Sequence, residues 1–140
     1  MSGLAAVLAG HHEPGVFRWH AAFDVEDVRH SVEHAGWRFG YVDGWTCDSE
    51  ADFHAALAAT FAFPDWYGGN LDALWDCLLT CVTEPAVLLW DGWGPLARSA
   101  PDRFARLVRV FRDRATTDEG AAFTLLLRGE GPEVDVASLD

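Results

Sequence analysis

Two apolar runs, AVLLW (86–90) and FTLLLR (123–128), do most to limit what this chain can fold into. A strand with one solvated face alternates polar and apolar side chains; runs such as these suit strands buried on both faces. Between them, Ser99 and Pro101 open the segment DRFARLVRVFRDRA. Its Phe104, Leu107, Val108 and Phe111 recur at helical spacing and are expected to face inward. Strand, amphipathic helix and strand in this order predict a right-handed crossover and a parallel sheet with helices packed on it.

The rest of the chain extends the pattern. WRFGYVDG reads as a strand over 37–42 ending in a turn. Asp48 or Ser49 can cap a helix through EADFHAALAATF, whose Phe53, Leu57 and Phe61 share one face. VFRWH (16–20) follows the turn-forming HHEPG and is a candidate strand. Asp24 can cap a helix carrying Val25, Val28 and Val32 on one stripe, with Gly36 closing it. The expected fold class is α/β: a small parallel sheet of three strands (37–42, 86–90, 123–128), with 16–20 as a candidate fourth, flanked by helices. Residues 1–36 read as a strand–helix extension packed onto the sheet edge, and 37–128 as the main domain. The tail GEGPEVDVASLD (129–140) is polar and expected to be flexible and loosely attached.

A chain of 140 residues, half of them hydrophobic, has enough apolar surface for one domain with a real core. No apolar run approaches the ~20 residues that cross a membrane. The opening MSGLAAVLAG lacks the basic stretch of a secretory signal. Three cysteines, Cys47, Cys77 and Cys81, are an odd number in a weak framework, which favours free thiols and a reducing, cytoplasmic setting. The formal net charge is −12, and all ten basic residues are arginines. None lies between Arg38 and Arg98, where nine acids fall: Asp43, Asp48, Glu50, Asp52, Asp65, Asp72, Asp76, Glu84 and Asp91. Such a field repels nucleic acid and speeds encounter with basic partners; it also serves plain solubility.

Within the acidic stretch, FPDWYGGNLDALWDCL (63–78) places Trp66 and Tyr67 in a loop, starts a helix on Asn70, and sets Asp72 and Asp76 one turn apart. Like charges at i and i+4 repel by roughly 0.2–0.5 kcal/mol on an exposed helix, so stability alone would not select the pair. Leu71, Leu74, Trp75 and Leu78 form the expected inward stripe. Two carboxylates could do acid–base work or hold Mg²⁺. Nothing near them completes either site: the chain has no lysine, no Ser-His-Asp spacing and no phosphate-cradling glycine motif. Cys77 and Cys81 have no partner pair at zinc spacing, and His30 with His34 reads as a solvated helix face. No catalytic residue, metal or cofactor is expected. The remaining sense of the motif is a surface of paired carboxylates and flanking rings, which imitates the charges and bases a nuclease binds.

The same run resembles the signature of the barstar family, intracellular inhibitors of the ribonuclease barnase. The likeness extends through ADFHAALAATF, EPAVLLW, VRVFRDRA and the last strand, covering roughly residues 37–128. It implies a small α/β fold whose acidic helix and preceding loop plug a nuclease active site. By that resemblance Asp76 enters the phosphate pocket, Asp72 meets an arginine, and Trp66 stands where the family has a tyrosine that stacks on a catalytic histidine. Tyr67, Asn70 and Trp75 match the motif directly, Gly68 joins them among the implied nuclease-binding residues, and Asp113 stands for a glutamate on the later helix. The implied partner is a basic microbial ribonuclease, barnase-like or guanyl-preferring, or a toxin nuclease. Gly69 departs from a glutamate of the motif, Cys81 from a tryptophan, and Thr117 from an acid. The alternative is an interaction module that kept the scaffold and binds another basic protein.

Overall fold

The apolar runs that demanded burial on both sides are neighbouring strands at the centre of a sheet. The computed structural model describes residues 3–139; Met1, Ser2 and Asp140, the outermost positions of the expected extension and tail, lie outside the described residues. In chain order the elements are α1 (Gly3–Leu8), β1 (Val16–Trp19), α2 (Val25–His34), β2 (Arg38–Asp43), α3 (Glu50–Phe61), α4 (Leu71–Thr80), β3 (Ala86–Asp91), α5 (Gly94–Ser99), α6 (Pro101–Thr116), β4 (Phe123–Arg128) and β5 (Ala137–Leu139). A 3-10 turn at Gly44–Thr46 follows β2. All five strands run parallel, in the order β2-β3-β4-β1-β5.

The sheet is therefore wider than the three or four strands expected. β1 is not an edge: it pairs with β4 on one side and with β5 on the other. The tail is correspondingly not loose along its whole length, because Ala137–Leu139 forms β5 and Leu139 is buried. The physical reason is the free edge of β1, whose backbone donors and acceptors need partners. Arg112 fastens the same segment by donating from Nη2 to the Asp135 carbonyl at 2.8 Å.

Side chains alternate across β3 and β4, so each face has its own core. Leu88, Trp90, Phe123, Leu125 and Leu127 pack with Phe53, Leu57 and Phe61 of α3, Leu74 and Leu78 of α4, and Phe104, Leu107 and Phe111 of α6. Val87, Leu89 and Leu126 face the other way, toward Leu4 and Val7 of α1 and Val28 and Val32 of α2. Segment 1–36 thus supplies the helices over one whole face of the sheet.

Helix ends follow the expected chemistry with two exceptions. The first is Ser99, which ends α5 with its hydroxyl on the Leu96 carbonyl and leaves α6 to start at Pro101 without a side-chain cap. Ser49 caps α3 by accepting from Asp52 N, and Asn70 caps α4 by accepting from Ala73 N at 2.8 Å. Asp24 precedes α2 but makes no side-chain capping bond. Gly36, at φ +83°, reverses the chain after α2 while Trp37 N donates to the Val32 carbonyl.

Candidate protein-binding face

α4 presents two faces of opposite character. Leu74, Cys77 and Leu78 are fully buried, whereas Asp72 and Asp76 are exposed. Leu71 and Trp75, expected on the inward stripe, are only half-buried. Trp75 instead helps line a cleft of about 400 Å³ with Leu71, Asp72 and Asp76, closed on the α6 side by Val110 and Asp113. Three carboxylates from two helices therefore share one concavity. Among the described residues none of the three side chains has a hydrogen bond or an ion pair, unlike Glu50, Asp91 and Glu26, which face arginines.

The loop before α4 supplies the remaining residues. Trp66 is 62% exposed at its tip. Tyr67 turns inward: its N–H donates to the Pro64 carbonyl, and its ring packs edge-on against Phe63 at 5.0 Å. Its hydroxyl meets Nδ1 of the buried His54. The other ring nitrogen, Nε2, donates to Glu50 at 3.1 Å, and Arg103 of α6 donates to both Glu50 oxygens at 2.6 and 2.8 Å. The phenol, pushed up by burial, stays protonated and can donate to His54. Tyr67 is thus the loop's anchor, and Trp66 the ring offered to solvent. Gly68 is exposed, and Gly69, at φ +66°, holds a left-handed turn that a glutamate would adopt only under strain.

The Arg103 guanidinium holds the Glu50 carboxyl down at about 2 from its usual 4.5, against the opposing pull of burial, with His54 adding to the lowering. A depressed carboxylate stabilises the fold fully above its unfolded value, and that contribution is lost as pH falls toward the folded one. Melting temperature should accordingly drop between about pH 5 and pH 2. In Glu50→Gln that acid limb should be shallower. An equally steep limb in both proteins would place the acid sensitivity elsewhere.

The far end of α4 is held by Arg114, which is buried in α6 without a counter-ion among the described residues. Its guanidinium donates to the carbonyls of Leu78 at 2.8 Å and Ala121 at 2.7 Å and lies over the Phe123 ring at 5.5 Å. Gly120 leaves the room: a Cβ there would stand 2.8 Å from the guanidinium carbon. Arg114→Ala would leave these carbonyls without a donor, costing roughly 2 kcal/mol or more. Urea unfolding should show that loss as a lower midpoint with an unchanged slope.

The sequence reading missed both devices, although a signal for each was present. His54 is four residues after Glu50 and on the stripe of Leu57 and Phe61, and Arg114 continues the stripe through Phe111 by three residues. The Cys77 thiol, shut from solvent inside α4, is pushed up to about 11 by burial, with Cys81 and Asp76 adding to the rise. All three cysteines are free. Among the described residues no group of three or more His, Cys, Asp or Glu could hold a metal, and no helix is long and apolar enough to cross a membrane.

A parallel α/β sheet that carries an acidic cleft beside an exposed aromatic loop defines the class: a small α/β protein with a concave, negatively charged surface. The chain belongs to the barstar family, since residues 37–128 match the family described as Barstar (barnase inhibitor). It is 44% identical over 48 residues to the Bacillus subtilis (strain 168) protein named "Putative ribonuclease inhibitor YrdF", a match covering 34% of this chain. The chain spans about half, 53%, of that relative's length. Two solved structures of the Aeropyrum pernix ORC2 protein, its ADPNP-ADP complexes and its ADP form, share the fold at TM-scores of 0.63 and 0.62. Their identities are 17% and 15%, over 91% and 92% of this chain and 38% and 39% of theirs.

Proposed function

We propose that this protein is a barstar-like ribonuclease inhibitor, not an enzyme, that acts in the cytoplasm by inserting α4 and the 63–70 loop into a nuclease active site. The observation that carries the reading is the cleft in which Asp72, Asp76 and Asp113 lie together without a cationic partner among the described residues. Carboxylates left so are disfavoured against one another in the free protein and gain when a desolvated arginine cluster surrounds them. Asp76 takes the phosphate position, Asp72 and Asp113 pair with flanking cations, and Trp66 stacks on an active-site ring. Trp75 forms the cleft wall, while Tyr67, Gly68 and Asn70 set the loop and helix start. The net charge of −12 steers a basic ribonuclease, barnase-like or guanyl-preferring, or a toxin nuclease, toward this face. Such a protein shields its producer from that nuclease.

Titration of guanyl-preferring microbial ribonucleases tests the reading. RNA cleavage should vanish as the protein reaches one equivalent of enzyme. Binding that leaves cleavage intact would identify an interaction module on the same scaffold. Absence of binding to every basic nuclease tried would refute a nuclease-directed face.

A further inference from the structure

In a parallel sheet, adjacent strands whose following connections leave toward opposite faces part at their carboxyl ends and open a crevice. β4 and β1 are such a pair. The chain after β1 enters α2 against one face, and the chain after β4 runs through Val134 and Val136, which pack with the core of the other. A crevice of about 680 Å³ opens there, its walls including Arg18, His20, Phe23, Arg98, Arg128 and Glu130.

In so acidic a protein this concentration of cations is out of character. Arg128 is committed to structure: Nε and Nη2 grip Asp91 at 2.6 and 2.9 Å, and Nη1 donates to the Ala21 and Phe23 carbonyls. It thereby fixes the loop that carries Phe23. Arg18 and Arg98 are uncommitted, with no side-chain hydrogen bond or ion pair among the described residues. Among the described residues, Glu130 is the one carboxylate in the crevice wall. Phe23 is 58% exposed beside them, and its ring packs on Trp19 at 6.2 Å. Two free guanidinium groups next to an open, supported ring suit an anion that carries its own flat ring. Screening over about 8 Å lets the local arginines decide for a small ligand, whereas a longer polyanion would meet the acidic surface around them.

We propose that this crevice binds a nucleoside monophosphate, with the phosphate on Arg18 and Arg98 and the base against Phe23. Most of its wall, 18–23 and 129–131, lies outside the family-matched segment 37–128, and it shares no residue with the acidic cleft. It stands or falls independently of the nuclease reading.

Calorimetric titration of the full chain with adenosine monophosphate at low ionic strength tests it. Saturable one-site binding is expected, with inorganic phosphate weaker and adenosine silent. Arg98→Glu, an exposed change, should weaken adenosine monophosphate at least about tenfold, and Arg18→Gln should act in the same direction. The proposal is overturned by absence of saturable binding or by binding that both variants leave unchanged. It is also overturned by inorganic phosphate binding as tightly as the nucleotide, or by an RNA oligonucleotide binding more tightly than it.

Discussion

Removing residues 1–36 should leave a chain that no longer folds cooperatively. The helices packed over the Val87, Leu89 and Leu126 face of the sheet, α1 and α2, both come from that segment, and so does the strand between β4 and β5. Its loss uncovers Phe39, Val87, Leu89 and Leu126, none of them more than 6% exposed in the whole chain. At roughly 1.5–3 kcal/mol for each large apolar side chain, the four are worth about 6–12 kcal/mol. That is comparable to the whole stability of a typical domain, about 5–15 kcal/mol. The deletion also strands β5 by removing its pairing partner, β1. Val32→Asp, which puts a charge where the side chain has no exposure, should injure the intact chain in the same way. Circular dichroism during urea unfolding decides the matter. A shortened chain with the parent's midpoint and solubility would mean the matched segment closes its own second face.

The central strands were legible because burial on both sides leaves an unmistakable apolar run. β3 and β4 begin at the residues where AVLLW and FTLLLR begin, and β3 extends one residue further. Asn70 likewise announced the start of α4 by capping chemistry alone. β5 was not legible: three residues with one buried leucine carry no period, and the partner strand lies more than a hundred residues away. α1 and α5, six residues each, are too short for a stripe to be read. At the candidate site the helix and its acids could be read directly, but the meeting of Asp113 with Asp72 and Asp76 depends on how α6 packs beside α4. The inward turn of Tyr67 was hidden for the same reason, since its partner His54 belongs to another helix.

Asp76→Ala should weaken inhibition of the cognate ribonuclease by roughly a hundredfold, about 2.7 kcal/mol, the largest loss of any single change on the acidic face. Truncating a desolvated charge at an interface costs roughly 2–5 kcal/mol, a range that barnase–barstar measurements themselves helped to set. The same change should barely touch the fold. The Asp76 side chain has no hydrogen bond or ion pair among the described residues, and its backbone carbonyl keeps its bond from the Thr80 hydroxyl at 2.8 Å. Relief of one i,i+4 repulsion should even raise stability by a few tenths of a kcal/mol, about the value of such a pair. Asp72→Ala and Trp66→Ala should follow in order of loss, and added salt should slow association of the parent by screening its field. The decisive measurement is the inhibition constant of Asp76→Ala set beside its melting temperature. A loss of about a hundredfold at an unchanged or slightly higher melting temperature is the predicted result. Undiminished inhibition, or a protein that unfolds when Asp76 is removed, would contradict it.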